Sequence, residues 1–372
     1  MVVLTGARQV GKTSLLRRLL PTHTFVTLDL PADAALAEDD PLTFLQRFPP
    51  PLLVDEVQYA PGLFRHVKVD VDVHRRERGR FVLTGSQKLQ LMGGVSESLA
   101  GRVAVLELEP LSFGEIHAAL PTITVEQVLL RGGYPELYDD PTLAAGDYYR
   151  DYLATYLERD VRSLLNVGSL RDFERFVRAC ALRSAQLLNK AELARDVGVS
   201  APTANQWLGV LSASNQVFLL EPWFANGTRS VVKSPKLYFG DAGFMAWLLG
   251  IRTEDELLRS PYVGAVWETF VCAELRKRQA AQQGGVALHF WRDRGREADF
   301  LIPRGGRFEL MEAKSTRSPT ERDAAALTAV ADALGAKRVV TKRILCRSDA
   351  SYPVGGAVVA GPTDPWFDGD EP

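Results

Sequence analysis

Up to about residue 110 the chain alternates short, wholly apolar runs with stretches whose apolar positions recur every three or four residues. The runs are VVLT (2–5), FVTLDL (25–30), PLLVD (51–55), FVLTG (81–85) and VAVLELE (103–109). They are too short for helices and lack the in–out alternation of a half-exposed strand, so they predict strands buried on both faces, as in a parallel sheet. KTSLLRRLL (12–20) and PLTFLQRF (41–48) predict helices between them, and the segment before Phe81 reads as polar and basic. Alternation of this kind is the pattern of an α/β domain.

Past Pro110 the period changes. Residues 111–170 read as mostly helical, broken by Gly132-Gly133-Tyr134-Pro135, and Tyr149, Leu153, Tyr156, Val161 and Leu164 form one apolar stripe. The stretch 190–211 predicts helix, tight turn, helix: Ala194 is small where the helices cross, Gly198 suits the turn and Ser200 can cap the second helix. VFLLEPWF (217–224) and SVVKSPKLYF (230–239) add a β-wing. A long helix (262–280) and the strands ALHFWRD, EADFLIP and RFELMEAKS follow, and residues 349–372, rich in Gly, Pro and Asp, predict a loose acidic tail. The expected organisation is thus a nucleotide-binding core (1–120), a helical lid (121–170), a winged helix-turn-helix (171–239), a small α/β domain (240–348) and the tail (349–372).

Bulk properties narrow the function classes only a little. A chain of 372 residues is long enough for two or three domains. Net charge is −2, so any contact with nucleic acid has to come from a local patch. No apolar run approaches the ~18–20 residues of a membrane-spanning helix. Cys180, Cys272 and Cys346 are scattered and the five histidines make no metal-ligand spacing, which together predict a reducing, cytoplasmic setting.

The densest chemistry lies at the start. Gly6-Ala7-Arg8-Gln9-Val10-Gly11-Lys12-Thr13-Ser14 has phosphate-loop spacing and stands between a predicted strand and a predicted helix. The glycines let the backbone wrap a phosphate, Lys12 is placed for the β- and γ-phosphates, and the Thr13 hydroxyl for Mg2+. PLLVDE then ends a buried strand on Asp55, expected to hold Mg2+ through water, and Glu56, expected to polarise an attacking water. LTGSQ puts Thr84 and Ser86 where a γ-phosphate sensor would sit. Arg102 follows a glycine ahead of the next strand and is a candidate to reach a γ-phosphate in its own or a neighbouring subunit of a homo-oligomer, with a structural salt bridge as the alternative. The only near match to a guanine-recognition motif, Asn189-Lys190-Ala191-Glu192, ends in Glu and lies outside the domain. LMGGVS (91–96) follows the Asp-Glu strand, whereas a transporter signature loop would precede it. The expected chemistry is therefore attack of water on ATP.

GARQVGKTSLL, LLVDEVQ, FVLTGSQ, SESLAGR, PLSFGE, GGYPE and YLERDV together resemble the prokaryotic AAA-type P-loop ATPases with a C-terminal domain of unknown function. The resemblance spans nearly the whole chain and implies a P-loop parallel sheet with ATP and Mg2+ as cofactors. Such proteins usually carry a helical segment ahead of the first strand, which helps enclose the adenine; this sequence starts at the strand, so either its start is truncated or miscalled or the base pocket is built differently, which leaves the base open.

Two regions of the C-terminal half carry further expectations. In the second helix of the helix-turn-helix, Thr203, Asn205 and Gln206 are types that read bases. Residues 200–211 hold no Lys or Arg, so cationic help for DNA would come from Arg229, Lys233 and Lys236 on the wing or from Arg171, Arg175 and Arg178 upstream. Further on, Glu268, Asp299, Glu312 and Lys314 resemble the PD-(D/E)XK nuclease core: an acidic helix residue, an Asp, then E-x-K on a strand. In that reading Asp299 and Glu312 share a Mg2+, Glu268 completes its shell and Lys314 orients water. Arg292, Arg294 and Arg296 nearby either draw a phosphate-bearing partner or balance charge. Two functions follow: an ATPase controlling a DNA-binding or nuclease-like half, or a regulatory scaffold whose nuclease-like domain binds protein partners and cleaves nothing. A small-molecule phosphotransferase is disfavoured by Glu56 beside Asp55.

Overall fold

The computed structural model describes residues 1–85, 99, 101–157, 161, 170–224, 234–281 and 287–364. The chain divides into two compact units, Met1–Pro110 and Leu111–Ser212 with Gln216–Pro372. The division falls at Pro110 instead of the expected 120, and the lid, winged and α/β segments belong to one unit.

In the first unit, β1 (Val2–Thr5), β2 (Thr24–Thr27), β3 (Leu52–Asp55), β4 (Phe81–Thr84) and β5 (Ala104–Glu107) form a sheet in the order β2-β3-β4-β1-β5. Every pairing in it is parallel. Side chains alternate across a strand, which explains why the runs had to be apolar throughout. Val3, Leu52, Val54, Phe81 and Leu83 pack on one face with Phe44, Leu63, Phe64 and Val67 from the helices Pro41–Arg47 and Leu63–Val73. Leu4, Leu53 and Val82 pack on the other with Leu16 of the helix Lys12–Leu19. Two helices of this unit, Pro31–Asp39 and Leu63–Val73, were not expected from the pattern. In the second of them VKVDVDV alternates like a strand, but Leu63, Phe64 and Val67 bury one helical face and leave Val69 and Val73 exposed.

The second unit begins with helices that bury the expected stripe: Tyr149, Leu153, Tyr156 and Val161 are each at most 3% exposed, and Leu164 lies outside the described residues. The Gly-Gly-Tyr-Pro break is a joint. Gly132 has φ +77, and a Cβ there would lie 2.0 Å from the Tyr149 hydroxyl and 2.4 Å from Asp241 Oδ1. Asp241 accepts from Gly133 N (2.7 Å), Tyr149 OH (2.9 Å) and Phe244 N (2.8 Å), so it also caps the helix Ala242–Leu248.

The helix-turn-helix consists of Lys190–Val197 and Ala201–Ala213, with Gly198 left-handed and Ser200 Oγ accepting from Thr203 N. Its wing is the antiparallel sheet β6 (Gln186–Leu187), β8 (Lys236–Phe239), β7 (Val217–Leu220), with β8 central. The last six strands are β9 (His289–Asp293), β10 (Arg296–Arg304), β11 (Arg307–Lys314), β12 (Val339–Cys346), β13 (Tyr352–Val354) and β14 (Ala357–Ala360), ordered β13-β14-β12-β11-β10-β9. The helix Glu321–Leu334 packs on this sheet. The expected loose tail is in part ordered: Gly355 and Gly356 both have positive φ and join β13 to β14 as a tight hairpin, and β14 extends the sheet alongside β12.

Candidate functional site

The phosphate loop leaves β1 at its carboxyl end, where ligands of open α/β sheets bind. Gly6 passes so close to Leu108 that a Cβ would lie 2.2 Å from its carbonyl oxygen, which only glycine allows. Gln9 (φ 59) and Gly11 (φ 87) turn the backbone left-handed before the helix Lys12–Leu19 begins. That curvature aims N–H groups inward and sets the positive end of the helix beneath them. Ala7 and Val10 pin the loop to the core, while Arg8, Gln9 and Ser14 stay at least partly accessible. Lys12, 7% exposed, donates to the carbonyls of Gly6 (3.0 Å) and Ala7 (2.7 Å).

Asp55 ends β3 and gathers the rest of the site. Thr13 Oγ1 donates to its Oδ2 (2.9 Å) and the Thr84 hydroxyl donates to its Oδ1. A hydroxyl beside a carboxylate supplies the hard oxygen donors that Mg2+ takes, so Thr13 and Asp55 fit the ion. Lys12 and the loop fit the phosphates. Thr84 is fully buried and also accepts from Glu56 N (3.4 Å), so it stands behind the two acids and fixes their orientation. A hydroxyl so placed positions Asp55. Ser86, its expected companion, lies outside the described residues. Glu56 itself is left-handed (φ 54), a costly conformation of the kind found at functional sites, and its carboxylate accepts from the Gln58 amide.

The second constellation does assemble, around a residue that was placed elsewhere by its sequence context. Lys236 Nζ lies 3.0 Å from Glu268 Oε1, 2.7 Å from Glu297 Oε1 and 3.1 Å from Asp299 Oδ1. The remaining donors are close by: Tyr238 OH gives to Glu268 Oε1 (2.6 Å), Ala313 N to Asp299 Oδ2 (3.0 Å) and Lys314 Nζ to Glu312 Oε1 (2.8 Å). Burial, then Asp299, push the Glu268 carboxyl up to about 7 and that of Glu312 up to about 8. Burial opposes the charge on Lys236, yet Asp299, Glu268 and Glu297 hold it above the usual lysine range. Both Asp299 oxygens and the inner Glu268 oxygen are thus already used. A Mg2+ wants about six oxygens in an octahedron, and among the described residues no three acidic, His or Cys side chains are arranged to hold a metal. The expected ion shared by Asp299 and Glu312 does not fit this arrangement, because the two acids are held by different ammonium groups, Asp299 by Lys236 and Glu312 by Lys314.

Comparisons with known proteins agree with the first site. Residues 1–117 match the family described as AAA domain, residues 122–255 a Domain of unknown function (DUF8612) and residues 263–364 a Domain of unknown function (DUF4143). Uncharacterized proteins of Mycobacterium bovis and Mycobacterium tuberculosis are each 33% identical over 368 residues, covering 98% of this chain and 80% of theirs. The chain belongs to the AAA-type ATPases with a C-terminal domain of unknown function.

Among solved structures, the ATPase is distantly similar to a signal-transduction ATPase with a tetratricopeptide-repeat sensor from Pyrococcus horikoshii (11% identity, TM-score 0.27, 74% of this chain and 43% of that one). It is similarly distant from the Orc1 protein of Aeropyrum pernix in complex with DNA (12%, TM-score 0.27, 67% and 86%). Among the described residues no helix is long and apolar enough to cross a membrane.

Two expected roles in this ATPase change with the geometry. Arg102 precedes β5, and β5 runs parallel to β1 with Val2 opposite Ala104 and Thr5 opposite Glu107. It therefore lies at the amino ends of the strands, roughly 17 Å from the loop at their carboxyl ends, where its Nε meets Asp72 Oδ1 at 2.7 Å. The reading in which it serves its own subunit's γ-phosphate is corrected by that register. Lys236, expected as a wing cation for DNA, is 4% exposed and committed to the carboxylates. Two of the three upstream arginines have acidic partners, Arg175 with Asp172 and Arg178 with Glu174. Of the three arginines near the acids, Arg292 meets Glu297 at 3.5 Å, as charge balance would have it, while Arg296 reaches the neutral Ala329 carbonyl. Arg229 and Lys233 lie outside the described residues.

Proposed function

We propose that the chain hydrolyses ATP with Mg2+ and that its nucleotide state governs a C-terminal half that binds a protein partner and cleaves nothing. The observation that carries the hydrolytic part is Asp55, which draws Thr13 and Thr84 onto its two oxygens at the mouth of the phosphate loop. Lys12 and loop residues 6–14 would hold the phosphates, Thr13 and Asp55 the ion, and Glu56 would take a proton from the attacking water. Mg2+ supplies charge stabilisation on the phosphates when bound. ATP turnover by the purified protein with and without Mg2+ tests this: turnover unaffected by the ion would refute it.

The partner-binding part is favoured over cleavage by the carboxylate cluster, whose oxygens are taken up by Lys236, Tyr238 and Ala313 N. It is favoured over DNA binding by the helix Ala201–Ala213, which presents Asn205 and Gln206 but no cation. Phosphate contacts supply most affinity for DNA. Titration against duplex and branched DNA at low salt separates the readings. Salt-dependent binding would restore the DNA reading, and Mg2+-dependent products lost in Glu312→Ala would restore the nuclease.

A further inference from the structure

The geometry points to Lys236 as the resident cation of the C-terminal carboxylate cluster: its ammonium takes up the acids a divalent ion would need, and only its removal would free them to regroup around a metal. The inference extends the non-cleaving reading, but its evidence is separate, since a protein without nuclease activity could still bind a metal here.

An ammonium carries three N–H donors, and Lys236 has three carboxylate partners between 2.7 and 3.1 Å: Glu268, Glu297 and Asp299. Its hydrogen-bonding capacity is used in full. The supporting donors complete the same pattern. Lys236 and Tyr238 are two apart on β8, so both point to one face of the wing sheet, and that face brings one cation and one hydroxyl to the acids. Across the cluster Ala313 N supplies the second oxygen of Asp299, and Lys314 supplies Glu312. Four acids (Glu268, Glu297, Asp299, Glu312) face two lysines, with Arg292 at the rim on Glu297.

Two oxygens remain: Glu312 Oε2 is buried and has no hydrogen-bond partner among the described residues, and Glu268 Oε2 is met by none of the cluster's donors. Two free oxygens on different acids are far from the six a Mg2+ or Mn2+ needs. Any ion approaching them would meet two ammonium groups within the same cluster. The acids come from the helix Val263–Ala281, β10 and β11, while the cation comes from β8, so the lysine also fastens the wing sheet to the C-terminal sheet. The acid, Asp and E-x-K pattern is thereby accounted for without a bound metal: Glu268 and Asp299 pair with Lys236, and Glu312 with Lys314.

Counting Mn2+ on the full-length, nucleotide-free protein tests this. An Asp55→Asn background keeps the phosphate-loop site from contributing an ion. With Lys236 in place, electron paramagnetic resonance is expected to find no tightly bound Mn2+; one ion per chain, lost on adding Asp299→Asn, would overturn the inference. In the same background Lys236→Ala is expected to melt at a lower temperature and to recover part of the loss in millimolar Mn2+, with about one ion bound per chain. A folded Lys236→Ala protein indifferent to Mn2+ would equally overturn it. Should that variant not fold, Lys236→Gln, one atom shorter but with two donors, is held to the same melting test.

Discussion

Two strand aspartates, each with a lysine nearby, have opposite surroundings in this chain. Asp55 is met by the hydroxyls of Thr13 and Thr84, while the neighbouring Lys12 has its ammonium on the Gly6 and Ala7 carbonyls of the phosphate loop. Asp299 is met by the ammonium of Lys236, which it shares with Glu268 and Glu297. Hydroxyls orient a carboxylate and leave its charge uncompensated, ready for an incoming cation. A buried ammonium compensates that charge permanently. The same residue types therefore build a site that can bind and one that is already filled, and a list of acids and lysines in sequence order cannot tell them apart.

The comparison is broken most severely at Glu56. Its place beyond Asp55, its left-handed backbone and its tie to Gln58 suit a group that acts on water. Glu56→Gln is expected to bind ATP as before and to lose about 100- to 10,000-fold in kcat, the usual range for a general base. Stopped-time phosphate release beside a fluorescent-nucleotide titration reads both quantities. Normal turnover would remove Glu56 from the mechanism.

The two lysines offer the next largest effects, and the contrast between them is the sharper test. Lys12→Ala is expected to weaken ATP binding at least about 100-fold, since each charge-assisted contact contributes roughly 1.5–3 kcal/mol, and to unfold in urea almost like the parent. Lys236→Met is expected to do the reverse, costing about 3–5 kcal/mol of stability by stranding buried carboxylates while ATP affinity holds. Isothermal titration and urea melts on both proteins decide it. If both variants lose affinity and neither loses stability, the two lysines do not differ as described.

Much of this difference was readable beforehand, though not all. The phosphate loop was legible because its geometry demands glycine at 6 and 11, and the N-terminal strands because burial on both faces requires unbroken apolar runs. Lys236 was misplaced because a lysine on a wing is ordinarily a solvated cation. Its signal was there: Lys-Leu-Tyr-Phe is a short strand in which everything else is apolar, and all four residues are buried. The β13–β14 hairpin was hidden by a composition typical of tails, although Gly355-Gly356 between apolar residues is a hairpin signature. What no linear pattern carries is the meeting of β8 with β10, β11 and the helix Val263–Ala281, which lie 30 to 80 residues apart.

A smaller effect follows from the protons held at the second site. Burial and Asp299 raise Glu268 to about 7 and Glu312 to about 8, so the folded protein keeps protons that the unfolded chain releases above its ordinary carboxyl value of 4.5. A state that binds more protons is favoured at low pH. Stability is therefore expected to fall as pH rises from about 5 to about 8. Glu312→Gln, which stays neutral, should flatten that decline, as urea midpoints across the range would show. An unchanged slope would mean that Glu312 ionises normally.

The least effect is expected at Arg102, and a null result there is informative. Every part assigned to the ATP site comes from the carboxyl ends of β1, β3 and β4, whereas Arg102 stands at the amino end of β5 with Asp72. An arginine held at the opposite edge of a parallel sheet cannot turn toward the phosphates of its own chain without unpairing the strand behind it. Arg102→Ala should therefore leave kcat of dilute protein within about twofold of the parent, far short of the 1,000-fold or more that an arginine finger contributes. The assay has to be run across protein concentration. A loss that emerges only as concentration rises would place Arg102 at a neighbouring copy's nucleotide and make the ATP site a shared one. A loss at every dilution would contradict the sheet register on which the whole site is built.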